Sequence, residues 1–150
     1  MPLIGHAMEA RIYSEDPSNN FLPGSGKINV LREPEQSEFV RIDTGVREND
    51  EITTFYDPMI SKLIVLADDR EKAIRALHSA LRDYKVKGLP TNIPFLKRVL
   101  QNSEFQSWDY DTSFIAKHEK ELLNPSATTD EQVLKAQLAI AHQWLSLSQK

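Results

Sequence analysis

The chain has 150 residues, 18 Lys and Arg against 22 Asp and Glu, and no Cys, which suits one soluble domain with its own core and excludes disulfides and thiolate metal sites. A net charge of -4 argues against a broad nucleic-acid surface, which needs clustered Lys and Arg to displace counterions from phosphates. The longest apolar run, Leu63-Ile64-Val65-Leu66-Ala67, is far short of the roughly 20 residues that span a membrane as a helix.

No signal or transit segment stands at the N-terminus, where Met1-Pro2-Leu3-Ile4 runs straight into patterned sequence, so the chain is expected to begin at an internal domain boundary. Residues 5–14 alternate: Met8, Ala10 and Ile12 on one side of a strand, Glu9, Arg11 and Tyr13 on the other. Two turns follow, one over Glu15 to Asn20 and one at Pro23-Gly24-Ser25-Gly26. Further strands are expected over 27–31, 39–46 and 51–56, the last two joined by the turn Arg47-Glu48-Asn49-Asp50. They suit an antiparallel meander. Residues 60–67 are apolar on both alternating faces and predict the most buried strand.

Helices begin near Asp69. Asp68 and Glu71 have capping-box spacing, and Ala73, Ile74, Leu77, Ala80, Leu81 and Tyr84 keep the rhythm of a core-facing stripe that Gly88 ends. Thr91 or Asn92 caps a second helix with Pro94 in its first turn and Phe95, Leu96, Val99 and Leu100 on its apolar side. A third is expected within 112–123. Thr128 and Glu131 open a final helix to about residue 148, apolar on two stripes, which suits a linker or a subunit contact. The pattern predicts an α+β fold: an antiparallel β meander or partial barrel over about residues 5–67, then packed helices. The domain is expected to cover 1–123, with 124–150 as linker and helix.

Few motifs carry chemistry. Gly24-Ser25-Gly26-Lys27 resembles the end of a phosphate loop, but Phe21 replaces the first glycine, Ile28 the Ser or Thr, and a strand is expected to follow, so it reads as a turn. His6, His78, His118 and His142 lack ligand spacing, so no metal site is expected. Glu119 and Glu121 read as a solvated helix face. What remains is Glu9 and Arg11, about 7 Å apart on one face of a strand; spacing alone favours an ordinary exposed ion pair, with an anion clamp, whose charge persists and whose donors form a planar fork, as the alternative.

Gly5-His6-Ala7-Met8-Glu9-Ala10-Arg11-Ile12-Tyr13-Ser14-Glu15-Asp16-Pro17, Phe21-Leu22-Pro23-Gly24, Gly26-Lys27-Ile28, Arg41-Ile42-Asp43-Thr44-Gly45-Val46, Tyr56-Asp57-Pro58-Met59-Ile60-Ser61-Lys62-Leu63 and Thr91-Asn92-Ile93 together resemble the C-terminal domain of biotin carboxylase. The motifs stand in family order across about residues 5–123. Among subfamilies, Asn19-Asn20-Phe21-Leu22-Pro23-Gly24 beside Glu9-Ala10-Arg11-Ile12-Tyr13 looks most like the biotin-containing α subunit of methylcrotonoyl-CoA carboxylase, a ligase of leucine catabolism. The same domain of propionyl-CoA, acetyl-CoA or pyruvate carboxylase, and a purely structural assembly module, are the alternatives.

The resemblance implies ATP-dependent carboxylation of biotin by bicarbonate. Arg11 matches the family arginine that holds the ureido oxygen and lies beside bicarbonate. Glu9 is read as its support, and Arg41 and Asp57 match positions at or near a dimer contact. Biotin would sit on a separate carrier domain, with ATP and Mg bound mainly by an upstream ATP-grasp domain. A carboxyltransferase β subunit is the further expected partner, in the mitochondrial matrix of a eukaryote or the cytoplasm of a bacterium. The ATP-grasp lid and an Ala-Met-Lys-Met biotinylation motif are absent from these 150 residues, so the chain is expected to be inactive alone.

Overall fold

A computed structural model describes residues 4–123. Its strands are β1 (His6–Tyr13), β2 (Glu15–Asp16), β3 (Leu22–Pro23), β4 (Gly26–Lys27), β5 (Val30–Arg32), β6 (Val40–Thr44), β7 (Glu51–Ile52), β8 (Met59–Ala67) and, after the helix α1 (Arg70–Asp83), β9 (Lys85–Lys87). The helices α2 (Ile93–Gln101), α3 (Ser103–Ser107), α4 (Phe114–Lys117) and α5 (Glu119–Leu123) complete an α+β fold. The final helix expected over 128–148 lies outside the described residues.

The main sheet has the order β1-β8-β6, antiparallel throughout. The run that is apolar on both faces is thus the central strand, and its Ile60, Ser61, Leu63 and Val65 are buried. Strands 27–31 and 51–56 differ from the alternation. The first divides, because β4 pairs with β7 while β5 pairs with β9. Ile28, at the crossing, is fully buried. The second stops at Ile52: Phe55 and Tyr56 are 88% and 83% exposed and lie in a loop, since β-prone residues without a partner edge leave their backbone to water. Sequential strands are therefore joined less by hairpins than by returns to distant partners.

Helix α1 packs its stripe of Ala73, Ile74, Leu77, Ala80 and Leu81 against the sheet's inner face, where Ala10, Ile12, Ile42, Leu63 and Val65 are buried. Fully burying a Leu or Ile of this kind contributes about 1.5–3 kcal/mol over leaving it exposed. The cap is Asp69 rather than Asp68: the Lys72 amide donates to Asp69 Oδ1 at 2.8 Å, while Asp68 takes the Lys72 ammonium at 2.7 Å. Tyr84 is buried with its hydroxyl 2.9 Å from Ser61 Oγ. The helix ends at Asp83, ahead of Gly88, because β9 pairs with β5.

Helix α2 begins with Pro94 in its first turn, and Asn92 makes no side-chain cap. The expected helix over 112–123 is two short ones, broken at His118. Helix α3 was not expected; Asn102 caps it by accepting from the Glu104 and Phe105 amides. Phe95, Phe114 and Leu122 form a second apolar cluster there.

Candidate functional site

Strand alternation sends one set of side chains from the main sheet into the core and the other outward. Register places Glu9, Ile64 and Arg41 in one outward row across β1, β8 and β6, and Arg11, Lys62 and Asp43 in the next. Glu9, Arg11 and Arg41 therefore share an open face. Each arginine is tethered by an acid two residues along its own strand. Arg11 Nε donates to Glu9 Oε1 at 3.1 Å, and Arg41 donates to both oxygens of Asp43 at 2.8 and 3.1 Å.

Both pairs are exposed, so they orient the guanidinium groups more than they stabilise the fold. The hydrogen bond to Glu9, with a smaller contribution from Tyr13, raises the Arg11 pKa, so its charge persists across the accessible pH range. That bond uses Nε, so Glu9 leaves the two terminal nitrogens open, with the Tyr13 hydroxyl as their neighbour among the described residues. Arg11 thus presents a charged, oriented fork suited to a carboxylate, a carbonate or a developing oxyanion. Asp57 lies in the turn before β8, where it accepts from the Met59 amide at 3.2 Å. It does not hydrogen-bond Arg41. Its charge lies close enough to Glu15 to add to the partial burial that raises the Glu15 pKa.

The backbone under Arg11 is braced on both edges. On one, β8 pairs residue for residue from His6 to Ile12, with a bulge before Tyr13. On the other, Asn92 Oδ1 accepts from the Tyr13 amide at 3.0 Å and Asn92 Nδ2 donates to the Arg11 carbonyl at 3.0 Å. By its position in the sequence Asn92 is only a candidate helix cap and part of a motif. A contact across 81 residues has no periodic signature, so nothing local in the chain indicates it.

Gly24 and Ser25 join β3 to β4, so the turn is shorter than expected, Gly26 and Lys27 already belong to a strand, and no helix follows. Glu121 is exposed, as a solvated helix face requires, while it accepts from Asn102 and lies 3.5 Å from His118 Nδ1. His118 Nε2 is 3.0 Å from Glu104, which Lys117 also contacts, and these two partners lower the Glu104 pKa. An apolar groove of about 300 Å³ lies among Phe95, Val99, Tyr110, Phe114 and Ile115, away from β1. Among the described residues, no group of three His, Asp or Glu side chains could hold a metal ion.

Comparison with known proteins gives the chain a family. Residues 9–117 match the model of the biotin carboxylase C-terminal domain. The chain is 47% identical over 141 residues to the mitochondrial methylcrotonoyl-CoA carboxylase subunit alpha of Rattus norvegicus, covering 93% of this chain and 20% of that protein. It is 45% identical over 120 residues to a biotin carboxylase of Halalkalibacterium halodurans, covering 80% and 26%. Among solved structures, the biotin carboxylase domain dimer of Hydrogenobacter thermophilus 2-oxoglutarate carboxylase, in complex with MgADP, ADP and bicarbonate, aligns with a TM-score of 0.78 and 31% identity over 81% of this chain and 27% of that one. The chain thus spans about a fifth to a quarter of the length of these relatives. With a matching fold, a family model across most of the described residues and Arg11 inside the matched region, the chain belongs to the biotin carboxylase C-terminal domain family.

Proposed function

We propose that this domain forms one wall of a biotin carboxylase site in the α subunit of an acyl-CoA carboxylase, most similar to the methylcrotonoyl-CoA enzyme. The observation that carries the reading is Arg11: an exposed guanidinium oriented through its Nε by Glu9, on a strand braced at both edges. Biotin, when bound, would supply a ureido nitrogen to accept the carboxyl group that ATP releases from bicarbonate as carbon dioxide, its proton passing to a base outside these residues and the charge falling on the ureido oxygen. Arg11 meets that charge with donors fixed before it forms, and such preorganised donors are among the larger contributions to catalysis. Glu9 holds the fork in place without touching the reacting atoms.

Bicarbonate, a planar anion, suits the same donors. ATP and Mg are assigned to an ATP-grasp domain outside these residues and biotin to a carrier domain, so the 150 residues would not turn over alone. The acyl group is chosen by a carboxyltransferase β subunit, which keeps propionyl-CoA, acetyl-CoA and pyruvate in play as final acceptors. Arg41 and Asp57 are proposed contacts of a two-fold homodimer, in which the same patch serves both subunits. Exposed Phe39 and Leu66, 54% and 43% accessible, support this use of the outward face. The compartment would be the mitochondrial matrix in a eukaryote and the cytoplasm in a bacterium.

The test is Arg11→Ala in a complete carboxylase α subunit. Bicarbonate-dependent biotin carboxylation should fall about 10²–10³-fold, the typical loss for one oxyanion donor, with the melting temperature unchanged because the side chain is exposed. Wild-type carboxylation would overturn the assignment.

A further inference from the structure

We propose that Asn92 is a positioning residue for Arg11, an inference that rests on the reading of Arg11 as the anion-binding group. Residues two apart on a strand present their backbone groups to the same edge. On β1, the Arg11 carbonyl and both the amide and carbonyl of Tyr13 face Asn92. Its side chain accepts from the Tyr13 amide and donates to the Arg11 carbonyl, each at 3.0 Å, and its backbone amide donates to the Tyr13 carbonyl at 3.2 Å. A primary amide has the acceptor and donor of a peptide unit. Asn92 therefore stands in for one residue of a parallel neighbouring strand.

The location of this substitute matters. The ladder between β1 and β8 runs regularly through the Arg11–Lys62 pair and shifts between Ile12 and Tyr13. A bulge weakens pairing locally and re-aims the chain. Asn92 supports the opposite edge at that point, from the start of α2, with only 7% of its own surface exposed. It also forgoes the cap that an asparagine normally makes in this position. Glu9 fixes the direction of the guanidinium; Asn92 fixes the backbone from which it projects. Aspartate would keep the acceptor but turn an oxygen towards the Arg11 carbonyl, and leucine would keep the bulk with neither bond.

Misplacement of a reacting group by about 1 Å can cost on the order of 10²-fold in rate. In a complete carboxylase α subunit, Asn92→Leu and Asn92→Asp should each lower kcat for biotin carboxylation about 10–100-fold with the KM for ATP unchanged. Asn92→Gln, which keeps the amide, should recover part of the loss. Added to Arg11→Ala, Asn92→Leu should lower kcat by less than about 2-fold more, because nothing then remains to be positioned. Should Asn92→Leu fail to fold, the Asp and Gln variants carry the same comparison. Wild-type kcat in folded Asn92 variants overturns the proposal. So does a loss that multiplies in full with Arg11→Ala, since Asn92 would then be structural only. Wild-type kcat in Arg11→Ala alone instead overturns the reading of Arg11, and this inference falls with it.

Discussion

Tyr84 ends the apolar stripe of α1 with a hydroxyl that a core position must accommodate. The hydroxyl lies 2.9 Å from Ser61 Oγ and donates to Glu33 at 3.3 Å, while burial pushes its pKa up to about 12 from 10.0. The folded state therefore holds the phenol neutral where the unfolded chain has begun to ionise. Stability lent by Tyr84 is present below pH 10 and is lost as pH rises towards 12. Tyr84→Phe should cost about 1 kcal/mol at pH 7, by leaving Ser61 without its partner, and should flatten the alkaline decline in urea-denaturation midpoint. An equally steep decline in Tyr84→Phe would contradict this account. Tyr84 was legible as core from its spacing, but its polar partner on β8 was not. Asp68 and Asp69 make the same point. Either aspartate could open the helix by spacing, and only the extended backbone at Asp69 (φ -145°) selects it as the cap.

Elements were legible where one periodicity covers many residues. Helix α1 has five core positions in 14 residues, and β8 a nine-residue run. Elements of two or three residues carry too little pattern and owe their existence to a partner. β9 is an example: its Lys85-Val86-Lys87 reads as a helix end, yet it pairs with β5. Gly88 then turns the chain at φ +112°, where an added Cβ would stand 2.1 Å from the Lys27 carbonyl oxygen and 3.0 Å from the Asn29 amide nitrogen. Both neighbours are backbone, so neither can rotate away. Gly88→Ala should destabilise the domain by about 2 kcal/mol or more, combining strain at positive φ with the clash. The check is the urea midpoint at constant m-value; a wild-type midpoint would show that the ribbons tolerate the shift.

For the molecule as a whole, acidic groups set the response to pH. Asp69, Glu104 and Asp111 all have pKa values below their usual 3.8, 4.5 and 3.8, held there chiefly by the Lys72 amide, His118 and Ser113 respectively. What they contribute is present above those values and lost as pH falls through the lowered ones. Among the described residues, Glu15, raised by burial, is the acid that opposes them. Thermal midpoints recorded from pH 7 to pH 3 should therefore decline below about pH 4.5, and a flat profile would refute the balance. At this scale the α+β class was readable from the change of periodicity near residue 67, and the family from the long motifs around Arg11 and Asp57. The site's second brace was not, because Asn92 reaches Arg11 only after the chain has folded back across 81 residues. The central place of β8 has a consequence for synthesis. β1 emerges first, yet its ladder partner is complete only at Ala67, so at about 5–20 residues per second the nascent strand waits several seconds as an open edge. Its Arg11 acquires a fixed backbone only once Asn92 has also left the ribosome.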